Sequence, residues 1–243
     1  IQNRLIPPSF PRFVQAERQS MVDKITSRRS ELERLRQDRL DEVLSKQDHY
    51  RRQDLYRAAD LPRRHRDAVV EFKDWLSKNP DHPAAEAFDS ARHAINNGSA
   101  VSLVGPRGTG KTQIAVNLTN VWVFETGRSA LYRRFADLSS EFKSQVYDGG
   151  TNEHTWMRKH GRIGLLIIDE LHDGYGSATE DMVLTRLFDH RYAAVLPTIL
   201  IANLTAHQFV QRVGQSVFSR LQECGMLIEC DWESFRTKGW NKS

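Results

Sequence analysis

The sequence predicts an open α/β fold: a parallel sheet carrying a phosphate-binding loop. Three observations predict it. Gly105-Pro106-Arg107-Gly108-Thr109-Gly110-Lys111-Thr112 fits the pattern G-x-x-x-x-G-K-[ST], with the apolar run Ala100-Val101-Ser102-Leu103-Val104 before it and a helical pattern after it. Gly164-Leu165-Leu166-Ile167-Ile168-Asp169-Glu170 is a leucine and β-branched run ending in two acids, the composition of a central strand buried on both faces. Strand patterns alternate with helical ones from residue 100 to residue 231, as a parallel sheet with crossover helices requires.

Taken in order, residues 1–13 contain Pro7, Pro8 and Pro11 and are expected to be irregular. From Val14 to Arg57 there is no proline or glycine, and good helix formers dominate. Met21, Ile25, Leu32, Val43 and Tyr50 fall on one line at 100° per residue, broadened by Leu35, Leu40 and Leu44. This predicts a long helix with a thin apolar stripe, broken near Thr26-Ser27, where Ser27 or Ser30 caps a new start. Such a stripe suits a seam against another helix rather than a core of its own. Leu61-Pro62 marks a boundary between an arm, residues 1–60, and a nucleotide-binding domain, residues 61–243. Helices are expected over 65–98, stopped by Asn96-Asn97-Gly98. Five strands follow at 100–104, 129–134, 164–168, 198–203 and 226–231. The intervening helices are at 110–125, 136–147, 179–193, 205–213 and 215–222, with a glycine-containing insertion at 148–163.

The chemistry explains the motif spacing. Gly105, Gly108 and Gly110 let the backbone, with Pro106, Arg107 and Thr109, turn its N–H groups toward phosphate oxygens. Lys111 supplies a charge for the β- and γ-phosphates, and the Thr112 hydroxyl can ligate Mg²⁺. Asp169, at a strand's C-terminal end, is the acid on the Mg²⁺ side. Glu170 is placed to orient or deprotonate an attacking water. ATP and Mg²⁺ are the expected cofactors, with hydrolysis favoured over transfer to a small molecule.

Composition excludes other classes. Hydrophobic residues make up 39% and charged residues 27% of the chain, and no apolar run approaches the roughly 20 residues needed to span a bilayer. The N-terminus lacks the pattern of a signal peptide. Cys224 and Cys230, with no histidine partners at a suitable spacing, do not form a zinc site and are expected to be reduced and partly buried. These points favour a cytoplasmic location with no membrane contact. Residues 1–70 hold 16 Lys+Arg against 11 Asp+Glu, and the remainder 19 against 20. The sequence pI of about 9.1 therefore comes from the arm. A basic arm can meet nucleic acid or an acidic protein surface, or simply be a solvated helix face.

Three later segments carry a resemblance: Thr198-Ile199-Leu200-Ile201-Ala202-Asn203, Phe218-Ser219-Arg220-Leu221 and Asp231-Trp232-Glu233-Ser234-Phe235-Arg236. Over about residues 60–238 the chain resembles AAA+ ATPases of the initiator and helicase-loader clade. It is most like DnaC-type replicative helicase loaders, with IstB-type transposition helpers second. The resemblance implies that Asn203 ends a sensor-1 strand and contacts the γ-phosphate or its water. It also implies that Arg220 is an arginine finger serving the neighbouring subunit, and that Arg236 is a sensor-2 arginine acting in cis. Only seven residues follow Arg236. On this reading a helical lid and a C-terminal helix-turn-helix are not expected, which argues against an initiator.

Loaders carry an extra helical motif before the acid strand that faces single-stranded DNA. Here that segment includes Arg133, Arg134, Phe135, Lys143, Tyr147, His154, Trp156, Arg158 and Lys159. Basic groups interleaved with aromatics suit a sequence-tolerant groove, although Phe135, Phe142 and Trp156 also fit a core. Arg133, Lys143 and Tyr147 are the candidate contacts, the last two on one helix face at a spacing of four. The implied partners are a DnaB-type hexameric helicase bound through the arm, single-stranded DNA, and up to six copies of the chain itself. Two alternatives stay open: a transposition helper, and a nucleotide-gated binding module with negligible turnover.

Overall fold

A computed structural model describes residues 12–173 and 177–238. Ten helices are described: α1 (Arg12–Ala58), α2 (Arg63–Asp67), α3 (Val69–Lys78), α4 (Pro83–Asn96), α5 (Lys111–Thr126), α6 (Phe135–Phe142), α7 (Glu153–Gly161), α8 (Ala178–Ala193), α9 (Ala206–Cys224) and α10 (Phe235–Lys238). Five strands, β1 (Ala100–Val104), β2 (Ala130–Arg134), β3 (Leu165–Asp169), β4 (Thr198–Ala202) and β5 (Gly225–Glu229), form one sheet in the order β2-β3-β4-β1-β5. Every pairing is parallel, as the sequence predicts. Among the described residues no helix is long and apolar enough to cross a membrane.

The chain divides into two units, residues 1–50 and 51–243. In the first, α1 runs through Thr26-Ser27 without the expected break. Ser30 does not cap a helix start; its hydroxyl donates back to the Thr26 carbonyl at 3.1 Å, a bond available inside a helix. Pairs four residues apart, Arg29–Glu33 at 3.0 Å and Lys46–Glu42 at 2.7 Å, support an isolated helix. Met21, Leu32, Leu35, Leu40, Val43, Leu44 and Tyr50 are all exposed. The side chain of Ile25 and the prolines at 7, 8 and 11 lie outside the described residues.

In the second unit the core alternates across the sheet with the period of two that a strand imposes. Val101, Leu103, Leu165, Ile167, Ile199 and Ile201 face Phe72, Ile95, Ile114 and Leu118 from α3, α4 and α5. Val104, Leu166, Ile168, Leu200 and Ala202 face Phe135, Phe142, Trp156, Leu187 and Phe209 from α6 to α9. The last turns of α1 belong here: Arg51 and Arg52 donate to the carbonyls of Gly127 and Phe124 at the C-terminal end of α5, where cations are favoured. Arg191 is almost fully buried and is satisfied by Thr198 Oγ1 and the carbonyls of Ile163 and Pro197 at 2.6–2.8 Å.

In the second unit two further segments differ from the sequence reading. The helix expected over 136–147 stops at Phe142 and continues as a π-helix, Lys143–Asp148. The insertion at 148–163 is largely helical, as α7, capped by the Asn152 side chain on the Thr155 amide. The two helices expected at 205–213 and 215–222 are the halves of α9, which breaks at Gly214, φ 77°.

Candidate nucleotide site

The sheet order decides where the site lies. β1 and β3 flank β4, so the segments leaving their C-terminal ends, 105–112, 169–173 and 203–204, meet along one edge. The amide of Gly105 donates to the Leu204 carbonyl at 2.8 Å, closing the loop onto the end of β4. Open parallel sheets place their ligands at this edge.

Lys111 is 4% exposed, and its ammonium donates to the carbonyls of Gly105 at 2.9 Å and Pro106 at 2.6 Å. Burial pushes its pKa below the ordinary lysine value; nearby Cys230 and Asp169 oppose the shift and Arg236 adds to it. Arg236 also lies against the loop, its Cδ 3.5 Å from the position of a β-carbon added at Gly108. Thr109 is braced by its hydroxyl on the Pro106 carbonyl, while Arg107 is exposed.

Asp169 is also buried, at 4% exposure. Its Oδ2 accepts from Thr112 Oγ1 and Tyr132 Oη, each at 2.9 Å, and its Oδ1 accepts from the Glu170 amide at 2.7 Å. Burial, followed by the charge and hydrogen bond of Asp169, pushes the Tyr132 phenol well above its usual range, so it stays a donor. A hydroxyl and a carboxylate in contact, both oxygen donors, are the protein part that Mg²⁺ requires when phosphates and water complete its shell. Thr112 and Asp169 therefore fit the metal role. Glu170 sits at φ 57°, in the left-handed region that a residue with a side chain rarely adopts. The turn Leu171–Asp173 follows it, held by Arg212 Nε on the Leu171 carbonyl at 2.9 Å.

Asn203 lies beyond the end of β4, and its backbone and side-chain amides both meet the His172 ring. Arg236 approaches from the C-terminal segment, which lies as a strap across the back of the phosphate loop. The Cys230 amide donates to the Val104 carbonyl at 2.7 Å, and the Phe235 amide to the Gly108 carbonyl at 2.9 Å. Trp232 Nε1 donates to the Thr109 carbonyl at 2.9 Å. A β-carbon added at Gly105, Gly108 or Gly110 would meet the Cys230 carbonyl, the Ser234 hydroxyl or the Phe235 ring, respectively. The strap is seated by Phe235 against Trp75 at 5.0 Å and His82 at 5.7 Å.

The structure thus gathers Lys111, Thr112, Asp169, Glu170, Asn203 and Arg236. Arg220 does not join them: its Nε lies 3.0 Å from Asp189 Oδ1 and its Nη1 donates to Ser216. The candidate DNA contacts are elsewhere as well. Arg133 pairs with Asp60 at 2.7 Å and Glu141 at 3.8 Å, so two carboxylates offset its charge. Tyr147 is 59% exposed, with its ring edge-on to Phe142 at 5.5 Å. That contact, five residues apart, follows from the π-helix rather than the α-helical face assumed for Lys143 and Tyr147. Phe135, Phe142 and Trp156 are core, at most 1% exposed, and offer no stacking surface. Of the cysteines, Cys230 is buried and Cys224 exposed, both free thiols.

Tyr132, His172 and Arg212 have no role in the sequence reading, although His172 stands two positions after the acid pair. Trp232 and Phe235 stand out there only as members of the segment 231–236, not as a clamp on the loop.

Comparisons with known proteins bear on the family and the fold. Residues 11–243 match the family described as IstB-like ATP binding protein. The replicative helicase loader DnaC of Escherichia coli (strain K12) is 26% identical over 157 residues, 63% of this chain and 64% of that protein. DnaC of Buchnera aphidicola subsp. Baizongia pistaciae (strain Bp) is 28% identical over 137 residues, 55% of each chain. The chain thus spans less than two thirds of these curated relatives. Among solved structures, a DnaC helicase loader superposes with a TM-score of 0.52 at 20% identity, covering 59% of this chain and 85% of that one. Domain III of the Thermotoga maritima replication initiation protein DnaA gives 0.54 at 17%, covering 63% and 65%. These likenesses establish the AAA+ fold, and with the family match over nearly the whole sequence, the chain belongs to the IstB-like ATP-binding proteins, as a distant homologue of the DnaC loaders.

Proposed function

We propose that the chain is a Mg²⁺-dependent ATPase that delivers a hexameric replicative DNA helicase to single-stranded DNA. The gathering of Lys111, Asp169, Glu170, Asn203 and Arg236 on one sheet edge is the observation that carries the ATPase reading. The amides of residues 105–112 and Lys111 bind the phosphates. Thr112 and Asp169 would hold Mg²⁺, which would supply neutralisation of phosphate charge. Glu170 takes the proton of the attacking water, Asn203 orients that water, and Arg236 meets the phosphate in cis. Arg220 serves the site of an adjacent copy in assemblies of up to six, exchanging Asp189 for a phosphate.

Similarity to proteins named replicative helicase loaders supports the choice of partner. The arm, residues 1–60, is the proposed helicase contact, with its exposed stripe as the seam. Lys143 and Tyr147 remain the proposed DNA contacts, and the pairing of Arg133 makes it the weakest of the three. A second reading is favoured by the family match: an ATPase that delivers a transposase. Copurification from the source cell separates the two, with the replicative helicase or a transposase as the retained partner. Phosphate release measured with and without single-stranded DNA tests the enzyme itself. Glu170→Gln is expected to keep ATP binding and lose turnover, because the carboxylate acts on the water. Equal turnover in variant and parent would remove Glu170 from the mechanism.

A further inference from the structure

His172 follows the acid pair by two residues and touches Asn203 twice. The Asn203 backbone amide donates to His172 Nδ1 at 3.1 Å, and the Asn203 side-chain amide lies 2.9 Å from His172 Nε2. The chemistry of the ring fixes the rest. A backbone N–H is always a donor, so Nδ1 must present its lone pair. A neutral imidazole has one donor and one acceptor nitrogen, so Nε2 carries the proton. The structure sets Asn203 Nδ2 at that position, where an NH₂ group would demand a ring with two acceptors; exchanging the two ends of the amide puts the carbonyl Oδ1 on the Nε2–H. The two ends of an amide are distinguished only by such partners. With Oδ1 engaged, the Nδ2 end of Asn203 is turned away from the ring.

We infer that His172 is a positioning residue. It locks Asn203 with the acceptor end of its amide occupied and the donor end available to an anion. This rests on the ATPase reading above and deepens it. A phosphate oxygen accepts hydrogen bonds and never donates at neutral pH when fully ionised, so an asparagine that can flip would present the wrong end part of the time. The ring also ties the catalytic-acid turn to the end of β4. Asp169 Oδ1 on the Glu170 amide fixes one end of that turn, and Arg212 on the Leu171 carbonyl fixes its middle. His172 fixes its far end to the strand between β1 and β3. Glu170 and Asn203, which act on the same water in the proposed reaction, therefore move as one piece.

The test has two arms. In the first, turnover and nucleotide affinity are measured for His172→Leu, His172→Gln, Asn203→Ala and the Leu/Ala double variant. His172→Leu is expected to lower kcat on the order of 10- to 100-fold, the scale of a small misplacement, with nucleotide Kd changed less than about twofold. His172→Gln can both accept from the Asn203 amide and donate to Oδ1, and it should restore most of the rate. In the Asn203→Ala background His172→Leu should add nothing, since its effect passes through Asn203. An unaltered kcat in His172→Leu, or a full loss still added on top of Asn203→Ala, overturns the inference. In the second arm, ¹⁵N spectra of histidine-labelled protein read the tautomer directly, with His172→Gln identifying the signal. Protonated Nε2 with bare Nδ1 is expected, and the reverse overturns the inference whatever the turnover. A parent protein without ATPase activity would sink the ATPase reading alone, and the spectrum would still decide the role of His172 toward Asn203.

Discussion

Gly108→Ala separates two reasons why the phosphate loop needs glycine. Gly108 has φ +93°, where an L-residue is strained by about 1–2 kcal/mol. Its added β-carbon would also run into Ser234 Oγ and come within 3.1 Å of Ser234 Cβ. Overpacking of this kind costs about 1–3 kcal/mol. The two terms together predict a loss of roughly 2–5 kcal/mol, and at about 2–4 °C per kcal/mol for a domain of this size a fall in Tm of roughly 4–20 °C. The assay is thermal or urea unfolding of the free protein, with no nucleotide present, so phosphate contacts contribute nothing. Ser234→Gly removes the obstructing atoms but also the hydroxyl that accepts from the Arg236 amide at 3.2 Å, so the overlap is read as a coupling energy in the double-mutant cycle. That coupling should be favourable by about 1–3 kcal/mol, with the backbone strain left uncorrected. Gly108→Ala as stable as the parent, or a coupling of zero, would refute the claim that the C-terminal segment lies on the loop.

Tyr132→Phe leaves Asp169 with two donors instead of three; a hydrogen bond to a charged group is worth about 1.5–3 kcal/mol, and unfolding in urea should show a loss of that order, with a raised Mg²⁺ requirement in the ATPase assay. Burial pushes the Cys230 thiol up to about 12 from 9.0. Below pH 9 both folded and unfolded chains keep that proton; above it only the unfolded chain releases it, so this contribution to stability should decline as pH rises from 9 toward 12, and Cys230→Ser should flatten the decline. A thiol reagent at pH 7.5 should label Cys224 in the folded chain and Cys230 only after denaturation. If Arg220 acts between copies, mixing Arg220→Ala with Lys111→Ala subunits should recover activity at hybrid interfaces; no recovery in assemblies of normal size would place Arg220 outside the shared site.

Residues proposed to touch nucleotide are legible in the sequence because their signal is local. The loop from Gly105 to Thr112 and the run from Leu165 to Glu170 each declare themselves within eight residues, and the parallel sheet then brings them to one edge. Residues that hold those groups in place were not legible. Tyr132 reaches Asp169 because β2 pairs with β3 in the register Tyr132↔Ile167 and Arg134↔Asp169, a tertiary fact absent from either strand alone. The spacing of Lys143 and Tyr147 reads as one α-helical face, and the π-helix changes that face by setting Tyr147 against Phe142. Phe135, Phe142 and Trp156 stand among basic residues in sequence, yet helix packing on β2 and β3 turned them inward while Arg133 found two carboxylates.

The three loop glycines show the limit most clearly, because one sequence signal there answers to two constraints. Each has the positive φ that the loop's bend requires, and each also leaves the space that Cys230, Ser234 or Phe235 fills from the other side. The pattern G-x-x-x-x-G-K-[ST] accounts for the first constraint and says nothing of the second. Loss of nucleotide binding in a glycine variant is therefore no evidence, by itself, of a lost phosphate contact. The same substitution lifts the strap, and with it Arg236, whose position depends on the Phe235 amide at Gly108 and the Trp232 indole at Thr109. Unfolding measured without nucleotide separates these effects, because the strap contacts exist in the free protein and the phosphate contacts do not.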